Sequence, residues 1–488
     1  MATNKMKNMW AYIDDMLQGF RRCFSREASF RWFMIVVVGF MVRSDHYGVT
    51  SIVRELCLDP AKYTSLIHFF RSTSWRLEEL IYTWVETIIS TGMVTRLHGR
   101  PVLIGDGTNH SREGSRIPSV KKIRQGSDNS GKPEYIRGYM FGGLGVLIGE
   151  AARSFCLPLS MLIHTGNKEI MKWKGAEFEN DSHVERLVRG ACDIAAVFKE
   201  TCWLLMDSYY LSMNALNVIN NMRDIIGSGN LVEMIVPVNA AYVGYTALNA
   251  KGNPAKNSRV KLCELFTKAR DTFVSGHATI YGERQNVKYC FLDLYWGRGL
   301  YKMLKFVCIE ADGFTGVLAC TDLMADPINI IELYCHRYKI EAFFKSFKNV
   351  VAGFSCYFWT HSMPLIKKWA KSEEIAGRLE QLGEEAKQAL VDTYDAIEGF
   401  VMFSCIAAGL IQLCCLKFSA VINGGVIYWL RTRGSSIPSM DTAVITFRYS
   451  LPGIINKCRE LGLVRAIQGK QTPVQNDLSV SEIMDESA

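Results

Sequence analysis

The 488-residue chain has no Cys-x-x-Cys pair, no Gly-x₄-Gly-Lys-Ser/Thr loop, no Gly-x-Gly-x-x-Gly turn, no Gly-x-Ser-x-Gly elbow and no His-Glu-x-x-His motif. Each absence removes a class. Without paired thiols a structural zinc site lacks its usual ligand spacing. Without either glycine-rich turn the common nucleotide-binding α/β enzymes are excluded. Without the serine elbow an α/β-hydrolase is excluded. A charge excess of one sign is also missing: 56 Lys and Arg stand against 48 Asp and Glu, a net of +8. Such a balance permits a polyanionic partner without demanding one. There is no internal repeat or low-complexity tract, and 39 Gly with 12 Pro are ordinary numbers in a composition that excludes collagen-like and coiled-coil chains.

What is present is a chain that is 49% hydrophobic and 21% charged, too apolar to be wholly disordered. Its length suggests about three domains. The 15 cysteines are scattered through apolar runs, such as those around Cys202, Cys308, Cys320 and Cys405, and are expected to be reduced and buried. Residues 1–29 hold no apolar run before a small-residue cleavage site, so no secretory leader is expected. Phe400–Leu416 is the one run near membrane-spanning length, but it contains Ser404, Gly409 and Gln412. A span normally needs about 20 apolar residues, so this run is read as a buried core helix.

Residues 8–98 read as helices, with a turn at Leu58-Asp59-Pro60 that suits either a helix-turn-helix or a plain helical bundle. From residue 99 the pattern changes to short apolar runs. Pro101–Gly105 reads as a buried strand ending at Asp106. A long polar stretch from Thr108 to Lys132 follows, then strands at Tyr135–Ile148 and Phe155–His164, a helix at Ser182–Lys199, a strand at Cys202–Met206 ending at Asp207, a helix to Met222 and a strand at Leu231–Val236. Residues 237–305 read as a β-rich insertion between the second and third of the acids discussed below. Gly142-Gly143-Leu144-Gly145 falls inside a strand and reads as a bulge or a close contact.

The segment Asp326–Lys348 opens with a cap and a proline and predicts one helix to about Asn349. With Tyr334 at zero on a 100° wheel, Arg337 falls at about 300°, Glu341 at about 340°, Lys345 at about 20° and Lys348 at about 320°. These share one face, beside an apolar stripe of Leu333, Ile340, Phe344 and Phe347. On its own that face could simply be solvated, since i,i+4 pairs contribute only a few tenths of a kcal/mol.

Three acids therefore stand out: Asp106 and Asp207 at strand ends, where ligand-handling groups converge in α/β sheets, and Glu341 on the helix. Three carboxylates are about the least protein contribution that a two-metal phosphoryl-transfer site requires. Here the chain resembles a known family, the DDE transposases of bacterial insertion sequences, in the branch marked by a Tyr-(2)-Arg-(3)-Glu-(6)-Lys signature. Tyr334, Arg337, Glu341 and Lys348 fit that spacing without a gap, Asp106-Gly107-Thr108 fits its Asp-x-Thr motif, and Leu-Leu-Met-Asp ends at Asp207. The resemblance covers roughly residues 99–360.

The resemblance implies an α/β fold with a ribonuclease-H-like core, and Asp106, Asp207 and Glu341 as catalytic residues holding two Mg²⁺ ions, with Mn²⁺ able to substitute. It implies cut-and-paste cleavage of transposon ends and their joining to target DNA. The implied partners are double-stranded DNA carrying terminal inverted repeats, target DNA and a second subunit in the DNA complex, without a membrane. The implied location is the bacterial cytoplasm, at the nucleoid. Tyr334, Arg337 and Lys348 would contact DNA, joined by Lys345 on the same face, by Thr108, Lys121 and Lys122 in the first motif and basic loop, and by Arg284, Lys288 and Trp296 in the insertion. Trp296 also reads as a core residue of the insertion. The expected organisation is a helical DNA-binding domain at 1–98, core at 99–236, insertion at 237–305, core at 306–360, a helical domain at 361–465 and a disordered tail at 466–488. A transposase-derived DNA-binding protein without activity is the alternative.

Overall fold

The computed structural model describes residues 2–124, 133–175, 182–222, 229–311, 314–367, 370–424 and 436–472. Lys132 and the rest of the basic loop at 125–132, the linker residues 431–435 and residues 473–488 lie outside the described residues. Of the tail expected to be disordered from 466 on, residues 466–468 instead complete a helix that ends at Gln468.

The chain opens with helices α1 (Ala2–Gln18), α2 (Glu27–Val42), α3 (Val49–Glu55), α4 (Tyr63–Phe70) and α5 (Leu77–Ser90). The expected turn before α4 is present: the Asp59 carboxylate accepts from the Ala61 amide at 2.9 Å and Pro60 occupies the first position of a short 3₁₀ turn. Next come strands β1 (Arg96–Leu97), β2 (Arg100–Ser111), β3 (Lys121–Arg124), β4 (Tyr135–Glu150) and β5 (Arg153–Thr165), and helices α6 (Lys168–Lys174) and α7 (His183–Phe198). Strand β6 (Cys202–Leu205), helix α8 (Met213–Asn221) and strand β7 (Val232–Val238) follow.

Strands β2, β4 and β5 form an antiparallel run, and β6 and β7 lie parallel to β2, giving the order β5-β4-β2-β6-β7. The molecule is thus mixed α/β. The strand expected to end at Gly105 runs on into the polar stretch, and β2 continues to Ser111. Its polar residues pair with Gly138–Phe141 of β4 beyond the point where β6 ends.

The residues read as an insertion extend the same sheet. Strands β8 (Val243–Tyr245) and β9 (Arg259–Lys261), helix α9 (Leu262–Lys268), and strands β10 (Val274–Ile280), β11 (Glu283–Trp296), β12 (Lys302–Ala311) and β13 (Phe314–Cys320) continue the chain. Strand β13 pairs antiparallel with β7, so the sheet runs on through β12 and β11 to thirteen strands.

Helices α10 (Pro327–Tyr334) and α11 (Lys339–Asn349) replace the single helix expected there. Between them Arg337 N bonds Tyr334 O and Lys339 N bonds His336 O, i→i+3 contacts that wind the chain tighter than an α-helix. A 100° wheel therefore misplaces residues across this junction. The expected stripe is nevertheless buried: Leu333, Ile340, Phe344 and Phe347 lie in the core, with Phe343 beside them.

The C-terminal helices are α12 (Ser372–Glu380), α13 (Glu384–Lys417), α14 (Ser419–Asn423), α15 (Met440–Lys457) and α16 (Gly462–Gln468). They pack on the N-terminal helices as one layer: Phe33 meets Phe403, Phe40 meets Phe400 and Trp10 meets Phe447. Helix α13 is long and apolar enough to cross a membrane, but its most apolar window is 94% buried inside the fold. Its polar groups are used there. Glu398 accepts from the Ile163 amide and from Lys174, and Gln412 donates to the Cys156 carbonyl of β5. The cysteines are all free and mostly buried.

Candidate functional site

Sheet register brings the first two acids together. Ile104 of β2 stands beside Leu205 of β6 in a parallel pair. Two residues further along each strand come Asp106 and Asp207. A period of two puts each on the same face as its register mate, on chains roughly 4.8 Å apart. Asp106 is mostly buried and accepts from its neighbour's amide, Gly107 N, at 2.7 Å. Asp207 is half-exposed and caps the 3₁₀ turn after β6 through Ser208 N at 2.7 Å.

Helix α11 brings the third. Asp106 lies opposite Gly143 of β4, and a Cβ built on Gly143 would stand 3.0 Å from the Phe344 ring. The missing side chain lets α11 lie close on the sheet at the level of Asp106, one helical turn from Glu341. The neighbouring glycines are as tightly packed, against His164 at Gly142 and Cys156 at Gly145. Gly143→Val is expected to displace Phe344 and cost about 1–3 kcal/mol by overpacking. Urea unfolding measures this, and an unchanged midpoint would mean that α11 does not depend on the contact.

All three carboxylates meet one guanidinium. Arg337 reaches Asp106 Oδ2 at 2.6 Å and Asp207 Oδ2 at 4.0 Å, and it also bonds the Glu341 carboxylate. Its side chain is only 14% exposed. Burial disfavours the Arg337 charge, but Asp106 first, then Tyr334, Asp207 and Glu341, outweigh it and raise its pKa. Among the described residues no three His, Cys, Asp or Glu side chains stand together as a ready metal site. The cation that the three acids share is Arg337.

Burial pushes the Asp106 carboxyl up to about 6, against the opposing pull of Arg337 and the Gly107 amide. The native state then holds this proton more tightly than the unfolded chain, whose value is near 3.8. The Asp106 contribution to stability is therefore greatest at low pH, falls as pH rises from about 4 to 6, and stays low above that. Asp106→Asn, which does not titrate, is expected to gain about 2 kcal/mol relative to the parent between pH 4 and pH 8, whatever the loss of the Arg337 contact costs at both. Denaturant titrations at both values test this, and a difference between variant and parent that does not change with pH would contradict it.

The remaining expected residues divide. Tyr334 ends α10, is partly buried, and has its phenol raised by burial, with Arg337 opposing and Asp207 and Asp106 adding to the shift. Lys348 donates to Asn109 O at 3.0 Å, three residues along β2 from Asp106. Lys345 is exposed on α11, and Thr108 is buried within β2. Lys121 and Lys122 lie on β3, where Lys121 reaches Gly166 O and Lys122 lies over the Tyr135 ring. Arg284 is exposed on β11 just past the turn at Tyr281, whose ring meets Tyr338 at 5.4 Å, and Lys288 is exposed further along the strand, opposite Ser275. Trp296 is half-buried and stacked on Tyr242 at 5.9 Å, as a core residue of that hairpin would be.

Arg337, a DNA contact by the resemblance, sits among the acids. The i,i+4 spacing of Arg337 and Glu341 is a local signal of this; the contact with Asp106 spans 231 positions and leaves none. Comparison with protein families, with characterised proteins and with solved structures finds no match for this chain.

Proposed function

We propose that this protein is a DDE-type DNA transposase built on a ribonuclease-H-like core. The observation that carries the reading is the convergence of Asp106, Asp207 and Glu341, from two parallel strands and a distant helix, on the single side chain Arg337. The strand order β5-β4-β2-β6-β7, with an antiparallel trio followed by two parallel strands, supports the core assignment.

The donor set suits Mg²⁺ or Mn²⁺: three carboxylates are hard oxygen ligands, and their shared hold on a guanidinium marks a place that attracts cations. Asp106, Asp207 and Glu341 would hold the ions once Arg337 is drawn aside. Bound there, such ions would activate an attacking oxygen and stabilise the leaving one. Arg337, released from Asp106, would be free to meet a phosphate, for which its fork of donors is suited. Tyr334 borders the same space. Lys345, exposed on α11, and Arg284 beside the hairpin turn, with Lys288 further along β11, would supply positive charge to neutralise backbone phosphates.

A second reading, a transposase-derived DNA-binding protein without cleavage, is favoured by the guanidinium that already bonds Asp106 and Glu341 and lies near Asp207. One experiment separates the two. DNA from either side of the coding sequence is incubated with the protein in Mg²⁺ and in Mn²⁺, and strand cleavage is mapped. Discrete cuts at inverted repeats support the transposase; binding without cuts in either metal supports the second reading and removes the first.

A further inference from the structure

After α11 the chain turns at Ala352–Phe354, where Ser355 N bonds Ala352 O, and passes the end of β2. Two buried arginines hold it there. Arg43 donates to the Val351 and Ala352 carbonyls, and Arg112 donates to the carbonyl of Phe354. His110 of β2 stacks on Phe354 at 5.1 Å. From Tyr357 the side chains alternate. Phe358 is buried against Phe70 and Phe400, while Tyr357 is 57% and Trp359 48% exposed. Tyr357 and Trp359 thus both face solvent, on either side of the buried Phe358.

Large aromatic rings exposed together on a segment locked from below mark a binding surface rather than leftover core. These rings are also held in place. Arg112 lies over Tyr357 at 4.6 Å, and the Tyr357 hydroxyl donates to His46 O at 3.3 Å. The Trp359 ring meets His361 edge-on at 4.6 Å.

The surroundings are basic. Residues 342–371 contain no Asp or Glu. Arg71, at the end of α4, donates to Trp359 O, and Arg116 donates to His361 O. The nearby Asp45 is paired with Arg54. The rings also lie in line with the acids: β2 runs from Asp106 past Asn109, where Lys348 binds, toward Arg112 under Tyr357. That is six residues of chain, or about 20 Å.

We propose that Tyr357 and Trp359 form a stacking platform for unpaired bases of a DNA strand leading away from the three-acid centre. A flat ring accepts any base, and Arg71 and Arg116 beside the rings supply positive charge for the backbone, which is how single strands are held without sequence preference. The proposal rests on the DNA reading above but does not require cleavage.

The test is fluorescence anisotropy with a labelled 20-mer of deoxythymidylate and with a blunt duplex of equal length, in EDTA so that no cleavage intervenes. Tyr357→Ala with Trp359→Ala is expected to weaken single-strand binding about thirtyfold or more and duplex binding less than about threefold. Tyr357→Phe with Trp359→Phe, which keeps the rings, is expected to stay within about threefold of the parent. The proposal is overturned if the alanine pair binds the single strand like the parent, if the phenylalanine pair loses as much as the alanine pair, or if the parent does not bind the single strand. It is also overturned if the alanine pair changes only the oligomeric state, which would make the surface a contact between copies. None of these outcomes touches the metal-dependent cleavage assay, so the two readings fail separately.

Discussion

Glu341→Gln is expected to slow metal-dependent strand cleavage about a thousandfold or more while leaving the fold intact. The first part follows from charge. A glutamine keeps the shape but offers a neutral amide where a carboxylate would hold a divalent ion, and losing several kcal/mol of transition-state stabilisation costs a factor of this size. The second part follows from exposure. The Glu341 side chain is 58% exposed and its ion pair is with Arg337 within the same turn of chain. Exposed pairs of this kind contribute about 0–1 kcal/mol. Cleavage rates on end-containing DNA, measured beside thermal melting, give both numbers. A variant that cuts within about tenfold of the parent rate would remove Glu341 from the chemistry.

Arg337→Ala is expected to have the largest effect on stability. Three carboxylates share this guanidinium, and Asp106 is buried with it. Removing one partner of a buried pair leaves a charge uncompensated, at a cost of about 3–5 kcal/mol. If the acids form a cation site, a divalent ion should replace the lost charge. The variant should therefore melt well below the parent in EDTA and recover most of the difference in excess Mn²⁺, because a ligand that binds only the native state stabilises it. A deficit equal in EDTA and in Mn²⁺ would make Arg337 a packing residue and would count against the metal reading as well.

The two experiments probe features that differ in how visible they are along the chain. The strand ending at Asp207 and the spacing of Tyr334, Arg337, Glu341 and Lys348 are local patterns, readable because an apolar run or a helical repeat leaves a regular mark. The same holds for the Asp59-Pro60 cap, which depends on adjacent residues only. The break between α10 and α11 is not readable, since a tighter turn of helix carries no distinct hydrophobic pattern. The full length of β2 is equally hidden, because its polar end pairs with β4 only once the hairpin has formed.

Sequence by itself determined the mixed α/β class, the three acids that stand apart from the rest and the apolar face that seats α11. Tertiary structure alone decided that the strands read as an insertion would join the main sheet through β13 and β7, and that the first and last helices would form one layer. It also made Asp14 of α1 the cap of α16, with its carboxylate accepting from Gly462 N and Leu463 N across almost the whole chain. The reason is physical. Local patterns report which face of an element is apolar, but many pairings bury that face equally well. The choice among them is made by contacts such as the Gly143–Phe344 approach and the Arg337–Asp106 pair, whose partners are far apart in sequence and meet only in the folded chain.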